Sequence, residues 1–262
     1  MKRYVTVTRS HLLAGIAAVA VFILTVLIAE GFDTAAVPVS GFGGYAKLPV
    51  YGVESAKKQV ALTFNAAWEA DDIGALLALL KERNVTCTFF LVGQWAEKNP
   101  REARRIVEAG HEIGNHSYAH PNMTNLSKQG IAEDITKAQE AIANAAGVTP
   151  KLFRAPSGAY NDTVVEAAQS MGLSVIQWSV DSVDWKKPDP ESLAARVLKK
   201  AEPGAIVLMH TGLENTRAAL PRIIDGLREQ GYSFVTVGEL LVRGAYTIDH
   251  EGIQHPAKPD EN

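Results

Sequence analysis

Two histidines separated by three residues could hold a metal ion. His116 and His120 flank Ser117-Tyr118-Ala119, and if this segment is helical both imidazole rings lie on one face and can share a metal. Two histidines at this spacing suit zinc or a neighbouring divalent transition metal. The pair alone is weak evidence, because two such histidines can equally lie at the surface or bind other protein groups.

Five further polar residues stand at or just beyond the carboxyl ends of predicted strands. They are Asn65, Arg154, Asp181, Asp184 and His210. In barrels and in open α/β sheets alike, the site lies at the carboxyl ends of the strands. We therefore expect these side chains to converge with the two histidines on one rim, and this convergence strengthens the prediction of a metal site.

Short apolar runs alternate with helical patterns along most of the chain. The predicted strands cover residues 60–64, 87–91, 110–114, 152–154, 173–180, 205–209 and 234–237, and the predicted helices cover residues 72–83, 101–109, 128–146, 161–171, 190–201 and 215–230. This alternation predicts an α/β fold with a mostly parallel sheet, either closed as a barrel or open and doubly wound.

The first thirty residues indicate where the protein acts. Residues 12–29 carry no charge, basic residues precede them, and as a helix they span about 27 Å, close to the roughly 30 Å of a bilayer core. We expect a cytoplasmic segment at 1–11, a single-pass membrane anchor at 12–29 and the remainder on the extracytoplasmic face of the cell membrane. The alternative is a cleaved signal peptide and secretion, with Ala35-Ala36 as the cleavage point.

The rest of the chain divides into three predicted regions. A stalk rich in Gly, Ala, Val and Pro covers 30–56, one domain covers 57–243, and a frayed polar tail covers 244–262. The formal charge of −3 gives no reason to expect nucleic acid as a partner. Cys87, the single cysteine, lies in an apolar run and is interpreted as a core residue. We expect a monomer.

Several segments carry a family resemblance. The run GHEIGNHSYAH at 110–120 resembles the metal-binding motif of the polysaccharide deacetylases, the NodB-homology family or carbohydrate esterase family 4. The segments TFFLVG at 88–93, FRAPSGAY at 153–160, WSVDSVDW at 178–185 and VLMH at 207–210 are similar to further motifs of that family, in the family's order. The similarity covers most of the chain, and the phrase QWSVDS resembles the sporulation-type subgroup.

The resemblance implies a fold and a reaction. The fold would be a distorted, incompletely closed (β/α)7-type barrel. The reaction would be metal-assisted removal of N-acetyl groups from peptidoglycan or chitin-like polymers, by hydrolysis of a carbon-nitrogen bond that is not a peptide bond. The metal would be zinc, with cobalt as an alternative. By position, His116 and His120 would bind the metal, and His210 would be the general acid. Asp181 or Asp184 would raise the pKa of His210.

The first motif departs from the family pattern. The family has Thr-Phe-Asp-Asp-Gly, in which one Asp is the base, oriented by the arginine that Arg154 matches, and the next Asp is the third metal ligand. This chain has Thr-Phe-Asn-Ala-Ala at 63–67. An amide cannot take up a proton at neutral pH, so Asn65 occupies a degenerate base position, and Ala66 has no ligand atom.

Two functions remain open. In the first, the chain is a metal-dependent deacetylase of cell-wall glycans or other N-acetylated amino-sugar polymers, with full, weak or altered activity. Glu69, or else Asp71 or Asp72, then replaces the missing carboxylate ligand; the alternative is that these acids form the solvated start of a helix. In the second, it is a glycan-binding or assembly module that has lost turnover. In either case Trp68, Tyr160 and Trp185 are the candidate sugar-binding residues.

Overall fold

The computed structural model describes residues 47–257. The predicted cytoplasmic segment, the predicted anchor at 12–29 and most of the predicted stalk lie outside this range. Among residues 47–257, no helix is both long and apolar enough to cross a membrane.

The described part of the chain alternates strands with helices, as the sequence pattern predicts. The strands are β1 (Gly52–Val53), β2 (Gln59–Ala66), β3 (Thr88–Leu91), β4 (Glu112–Asn115), β5 (Leu152–Phe153), β6 (Ser174–Val175), β7 (Val180–Asp181), β8 (Ala205–His210), β9 (Ser233–Phe234), β10 (Tyr246–Ile248) and β11 (Ile253–Pro256). The helices are α1 (Ile73–Glu82), α2 (Gly93–Lys98), α3 (Pro100–Glu108), α4 (Lys128–Ala146), α5 (Asp162–Ser170), α6 (Pro190–Lys200), α7 (Glu214–Glu229) and α8 (Val237–Leu240).

A parallel sheet forms the centre of the molecule. Its strands run in the order β10-β11-β1-β8-β2-β3-β4-β5-β6, and β7 and β9 pair with β8 and β2. The β2 strand is almost entirely buried and pairs in parallel with both β3 and β8. A strand covered on both faces needs a largely apolar run, and β2 supplies one in the residues that precede polar Asn65. The expected α/β fold is confirmed.

The barrel is incompletely closed between β6 and β7. These two strands come from the stretch 173–180, which the sequence pattern predicts as one strand. In the structure β7 pairs with β8, whereas the end of β6 is bridged to Val50. The Val50 N–H donates to the Val175 carbonyl at 2.8 Å, and the Gln177 N–H donates to the Val50 carbonyl at 2.7 Å. An amino-terminal segment therefore fills part of the gap.

Local sequence signals account for the helix ends. The Ser127 hydroxyl accepts from the Gly130 N–H at the start of α4, and Gly147 ends that helix at a φ of 78°. Asp189 caps α6 by accepting from the Ser192 N–H. The six predicted helices are confirmed within one or two residues at each end. The short α2 was not predicted, because six residues are too few to show a helical period.

The sheet extends beyond the predicted domain limits of 57 and 243 at both ends. Segment 244–256 is not a frayed tail, because β10 and β11 form an antiparallel hairpin and β11 pairs in parallel with β1. Since β1 lies at 52–53, the last residues of the predicted stalk belong to the sheet. The hairpin escaped prediction because its strands are short and their one buried residue is polar Gln254, so that no alternation of apolar and polar residues marks them.

Candidate active site

A cavity of about 380 Å³ opens at the carboxyl ends of the central strands. Seven of the residues that the sequence singles out line it: Asn65, Trp68, His116, His120, Asp181, Trp185 and His210. Trp178, Ser157 and Leu208 line it too. Trp178 was missed as a lining residue although it stands in a quoted motif, because nothing in a short strand-like run says which face meets the cavity.

His116 is a fixed and deeply buried imidazole. Its Nδ1 lies 2.8 Å from the Arg154 carbonyl oxygen, and because a carbonyl can only accept, this nitrogen carries the hydrogen. Its Nε2 is buried and has no hydrogen-bond partner among residues 47–257. Burial, reinforced by neighbouring His120, holds the pKa of His116 well below its usual value. The lone pair of Nε2 is therefore available inside the cavity.

A tight turn, and not a helix, brings the second histidine close. Ser117 and His120 have positive φ angles of 68° and 57°, so the helical segment that would put both rings on one face is absent here. The His120 N–H donates to the Ser117 hydroxyl at 2.9 Å, and the Ser117 N–H donates to Asn115 Oδ1 at 2.8 Å. The two ring centroids still come within 5.0 Å. The expected proximity holds for a different structural reason.

Arg154 lies fully buried beneath the cavity. Its Nη1 donates to Thr63 Oγ1 at 3.0 Å and to Asn65 Oδ1 at 2.9 Å, and its Nη2 donates to the Gln177 carbonyl at 3.0 Å. The guanidinium also stacks 3.9 Å above the Phe90 ring. Burial lowers the pKa of Arg154 to about 9, so the group is still a cation at neutral pH. Each of these partners is neutral.

His210 is held by Asp184 on the other side of the cavity. Its Nδ1 lies 2.7 Å from Asp184 Oδ1, and Asp184 Oδ2 accepts from the His210 N–H at 2.7 Å and from the Thr216 hydroxyl at 2.8 Å. Asp184 is completely buried. The other candidate acid, Asp181, instead accepts from the Val183 N–H at 2.7 Å. The structure therefore assigns the orienting position to Asp184.

Aromatic side chains form the outer wall. The Trp68 ring stacks on His210, with centroids 4.9 Å apart and 28° between the planes. Trp68 and Trp185 are 49% and 51% exposed, so each presents a free ring face at the cavity mouth. Tyr160, the third candidate sugar-binding residue, is not among the lining residues, and its hydroxyl accepts from the Tyr51 hydroxyl at 3.0 Å.

Comparison with known proteins identifies the family. The family model for polysaccharide deacetylase matches residues 52–176. BA3943 of Bacillus anthracis, described as a CE4 family pseudoenzyme, has a crystal structure that is similar to this chain at 38% identity and a TM-score of 0.71, over 80% of this chain and 73% of that one. The chain belongs to the polysaccharide deacetylase family.

Two curated relatives have similar sequences. The uncharacterised protein YlxY of Bacillus subtilis (strain 168) is 39% identical over 74% of this chain, and the peptidoglycan-N-acetylglucosamine deacetylase PgdA of Listeria monocytogenes is 39% identical over 74% of it. The chain spans 60% of the length of YlxY and 41% of that of PgdA. A BA3943 mutant described as having restored enzymatic activity is 42% identical to this chain, with a TM-score of 0.71, over 74% of this chain and 71% of that one.

The metal site expected of the family is incomplete in this member. The unpartnered Nε2 of His116 and the adjacent His120 ring suit a divalent metal, yet a hydrolytic zinc site has three protein ligands. Within residues 47–257, no group of three or more His, Cys, Asp or Glu side chains is placed to hold a metal. The residues present therefore do not fit a complete catalytic metal centre.

The proposed substitute ligands lie elsewhere. Glu69 is exposed and is not among the cavity-lining residues, so the structure does not place it as the expected third ligand. Its backbone lies against Gly212, in the loop after β8. Asp72 Oδ2 accepts from the Gly212 N–H at 2.8 Å, and burial raises the pKa of Asp72. Asp72 therefore holds the loop after β8, and neither Asp72 nor Glu69 lines the cavity where the missing aspartate would stand.

Proposed function

We propose that this protein binds N-acetylated amino-sugar polymers of the bacterial cell wall and prefers peptidoglycan to chitin-like glycans. It removes their N-acetyl groups far more slowly than a family member with a complete site does. The observation that carries the proposal is the 2.9 Å contact between Asn65 Oδ1 and Arg154 Nη1. An amide that cannot accept a proton stands where the family has its base. A positioned base contributes about 10²–10⁴-fold to a rate, so its loss sets the scale of the defect.

The remaining parts of the site favour retained glycan binding. The half-exposed rings of Trp68 and Trp185 flank the cavity and suit stacking on sugar faces. His210, oriented by Asp184, can still present Nε2 as a proton donor to a leaving nitrogen. The relative PgdA is named for peptidoglycan N-acetylglucosamine, which supports the choice of polymer.

Acetate release tests the proposal directly. The full chain and an Asn65→Asp/Ala66→Asp variant would be incubated with N-acetylglucosamine oligomers and with peptidoglycan, in zinc and in cobalt. We expect both proteins to bind, and the variant to release acetate at least about 10²-fold faster. Adding His116→Ala to the variant should abolish the gain. Equal, His116-dependent release by the unmodified protein would overturn the proposal.

A second candidate is a working metal-dependent deacetylase with a rebuilt site. It is favoured by the unpartnered Nε2 of His116 and by the intact pairing of His210 with Asp184. It requires one zinc or cobalt ion per chain, held through His116 and His120 together with a third group. Metal analysis of the full chain, with His120→Ala as control, separates the candidates: bound metal supports the second, and none supports the first.

The site of action follows from the proposed substrate. Residues 12–29 would anchor the protein in the cell membrane, as a monomer with its domain on the extracytoplasmic face, or would be cleaved to release it. A role in sporulation or cell-wall modification is consistent with such a placement. Membrane fractionation with protease added to intact protoplasts tests it. Recovery in the cytoplasmic fraction would contradict both forms of the proposal.

A further inference from the structure

We infer that Asn65 recognises the carbonyl oxygen of an N-acetyl group, so that the cavity selects acetylated sugars without a metal. The inference rests on the proposed function and identifies the acetyl carbonyl as the part of the glycan that the cavity recognises. It assigns a binding role to the residue that stands in the place of the family's base.

The orientation of the Asn65 amide is fixed by its partner. A guanidinium can only donate hydrogen bonds, and Arg154 Nη1 lies 2.9 Å from Asn65 Oδ1. The amide nitrogen, Nδ2, must therefore point away from Arg154. Asn65 lines the cavity, and Nδ2 has no hydrogen-bond partner among the described side chains and backbone. A hydrogen-bond donor thus faces the cavity where the family presents a carboxylate.

Neighbouring contacts keep the amide in this orientation. The Thr63 hydroxyl donates to the Val207 carbonyl at 2.6 Å, so toward Arg154 it can only accept. Arg154 remains a buried cation whose partners are all neutral, and it polarises the amide that it binds. Polarisation along a chain of hydrogen bonds strengthens the outer donor. Asn65 Nδ2 is therefore a stronger donor than a solvent-exposed amide.

The same cavity supplies an acceptor. His116 is 1% exposed, and its Nε2 carries a lone pair because its Nδ1–H donates to the Arg154 carbonyl. An acetamido group offers one acceptor oxygen and one N–H donor, which match Asn65 and His116 in type. A carboxylate such as acetate offers acceptors alone and would face the lone pair of Nε2. This donor and acceptor pair favours the neutral acetamido group.

Calorimetric titration of the full chain in chelator tests the inference. The ligands are the tetramer of N-acetylglucosamine and the tetramer of glucose, which is also neutral but has a hydroxyl in place of the acetamido group. We expect the acetylated tetramer to bind at least about 10-fold more tightly, since one good hydrogen bond to a polarised donor has this value. Asn65→Asp should remove most of that preference without weakening the glucose tetramer.

Asn65→Asp is a sharp variant because it keeps the shape and the acceptor toward Arg154 and replaces the donor with a carboxylate oxygen, which also gives Arg154 an anionic partner. Asn125→Asp, the same chemical change at an exposed position, is the matched control and should bind both tetramers as the unmodified chain does. Retention of the full preference by Asn65→Asp, or displacement of the acetylated tetramer by equimolar acetate, would overturn the inference. If neither tetramer binds the unmodified chain, the proposed function itself fails.

Discussion

The two walls of the cavity have diverged in their chemistry. On one wall a buried carboxylate, Asp184, orients His210 through two short hydrogen bonds, accepts a third from the Thr216 hydroxyl, and balances any charge on the His210 ring. On the other wall a buried cation, Arg154, is satisfied by neutral oxygen atoms alone. Replacing Asp by Asn preserves the hydrogen bond to Arg154 and removes the proton acceptor. A catalytic function can therefore be lost while the packing around it stays intact.

The largest expected effect tests whether the Asp184 wall is still competent. In the Asn65→Asp/Ala66→Asp background, Asp184→Asn should lower kcat for acetate release by about 10²–10⁴-fold, because His210 loses the carboxylate that orients it. Asp181→Asn is the matched control, since the Asp181 carboxylate accepts from the nearby Val183 N–H and not from His210, and kcat should change less than about 3-fold. Equal losses in the two variants would mean that the two acids share the role.

A second prediction concerns the stability of the Arg154 wall. Arg154→Ala should lower the free energy of unfolding by about 3–5 kcal/mol, because it leaves three buried acceptors without a donor and opens a cavity against Phe90. Urea denaturation of the full chain measures this loss. Arg196→Ala, at an exposed guanidinium that donates to the Asp181 carbonyl, is the control and should cost less than about 1 kcal/mol. A loss as small as that of the control would show that Arg154 is dispensable for folding.

Restoring charge balance to that wall should stabilise it. Asn65→Asp gives Arg154 an anionic partner, and a charge-assisted hydrogen bond contributes about 1.5–3 kcal/mol. Arg154 should hold the pKa of the new carboxyl below its unfolded value of about 3.9. The gain should then be complete above that pH and disappear as the pH falls through the lowered folded-state value. Denaturation at pH 7 and pH 3 checks the sign, and a gain at pH 3 as large as the gain at pH 7 would contradict it.

The smallest effect comes from a histidine and carboxylate group at the surface. His255 lies 2.8 Å from both Glu54 and Asp249, and the hydrogen bond to Asp249, then that to Glu54, raises its pKa. Its stabilising contribution should be present below the unfolded pKa of about 6.5 and lost as the pH rises through the raised value. Hydrogen-exchange protection factors across 246–256, which are corrected for the intrinsic rise of exchange with pH, should fall slightly over that range, and this fall should be absent in His255→Ala. His250→Ala, at another exposed histidine of this hairpin, should keep it.

The regular part of the fold could be predicted because its signals are local. The apolar run of β2 and the amphipathic period of α4 each specify an element without reference to the rest of the chain. The convergence of Asn65, Asp181 and His210 on one cavity, with Arg154 bonded to Asn65 beneath it, also followed, since strand ends in a parallel sheet share an edge.

Other features depended on contacts that a pattern cannot specify. The closure of the barrel through Val50 joins residues more than a hundred positions apart. The choice of Asp184 over Asp181 depends on the direction of a turn with Val183 at a positive φ of 59°. The sequence predicted that a helix brings His116 and His120 together, whereas a non-helical turn at 117–120 does so in the structure. Spacing thus predicted which residues meet, and the backbone decided how they meet.

The pairing of β1 with β11 determines how the domain would respond to mechanical force. The two strands are parallel and come from the beginning and the end of the described chain. The Tyr51 N–H donates to the Gly252 carbonyl at 2.8 Å, and the Glu54 N–H donates to the Gln254 carbonyl at 2.9 Å. Tension applied between residues 47 and 257 would slide one strand along the other and load these hydrogen bonds together, whereas an antiparallel terminal pair would open one bond at a time.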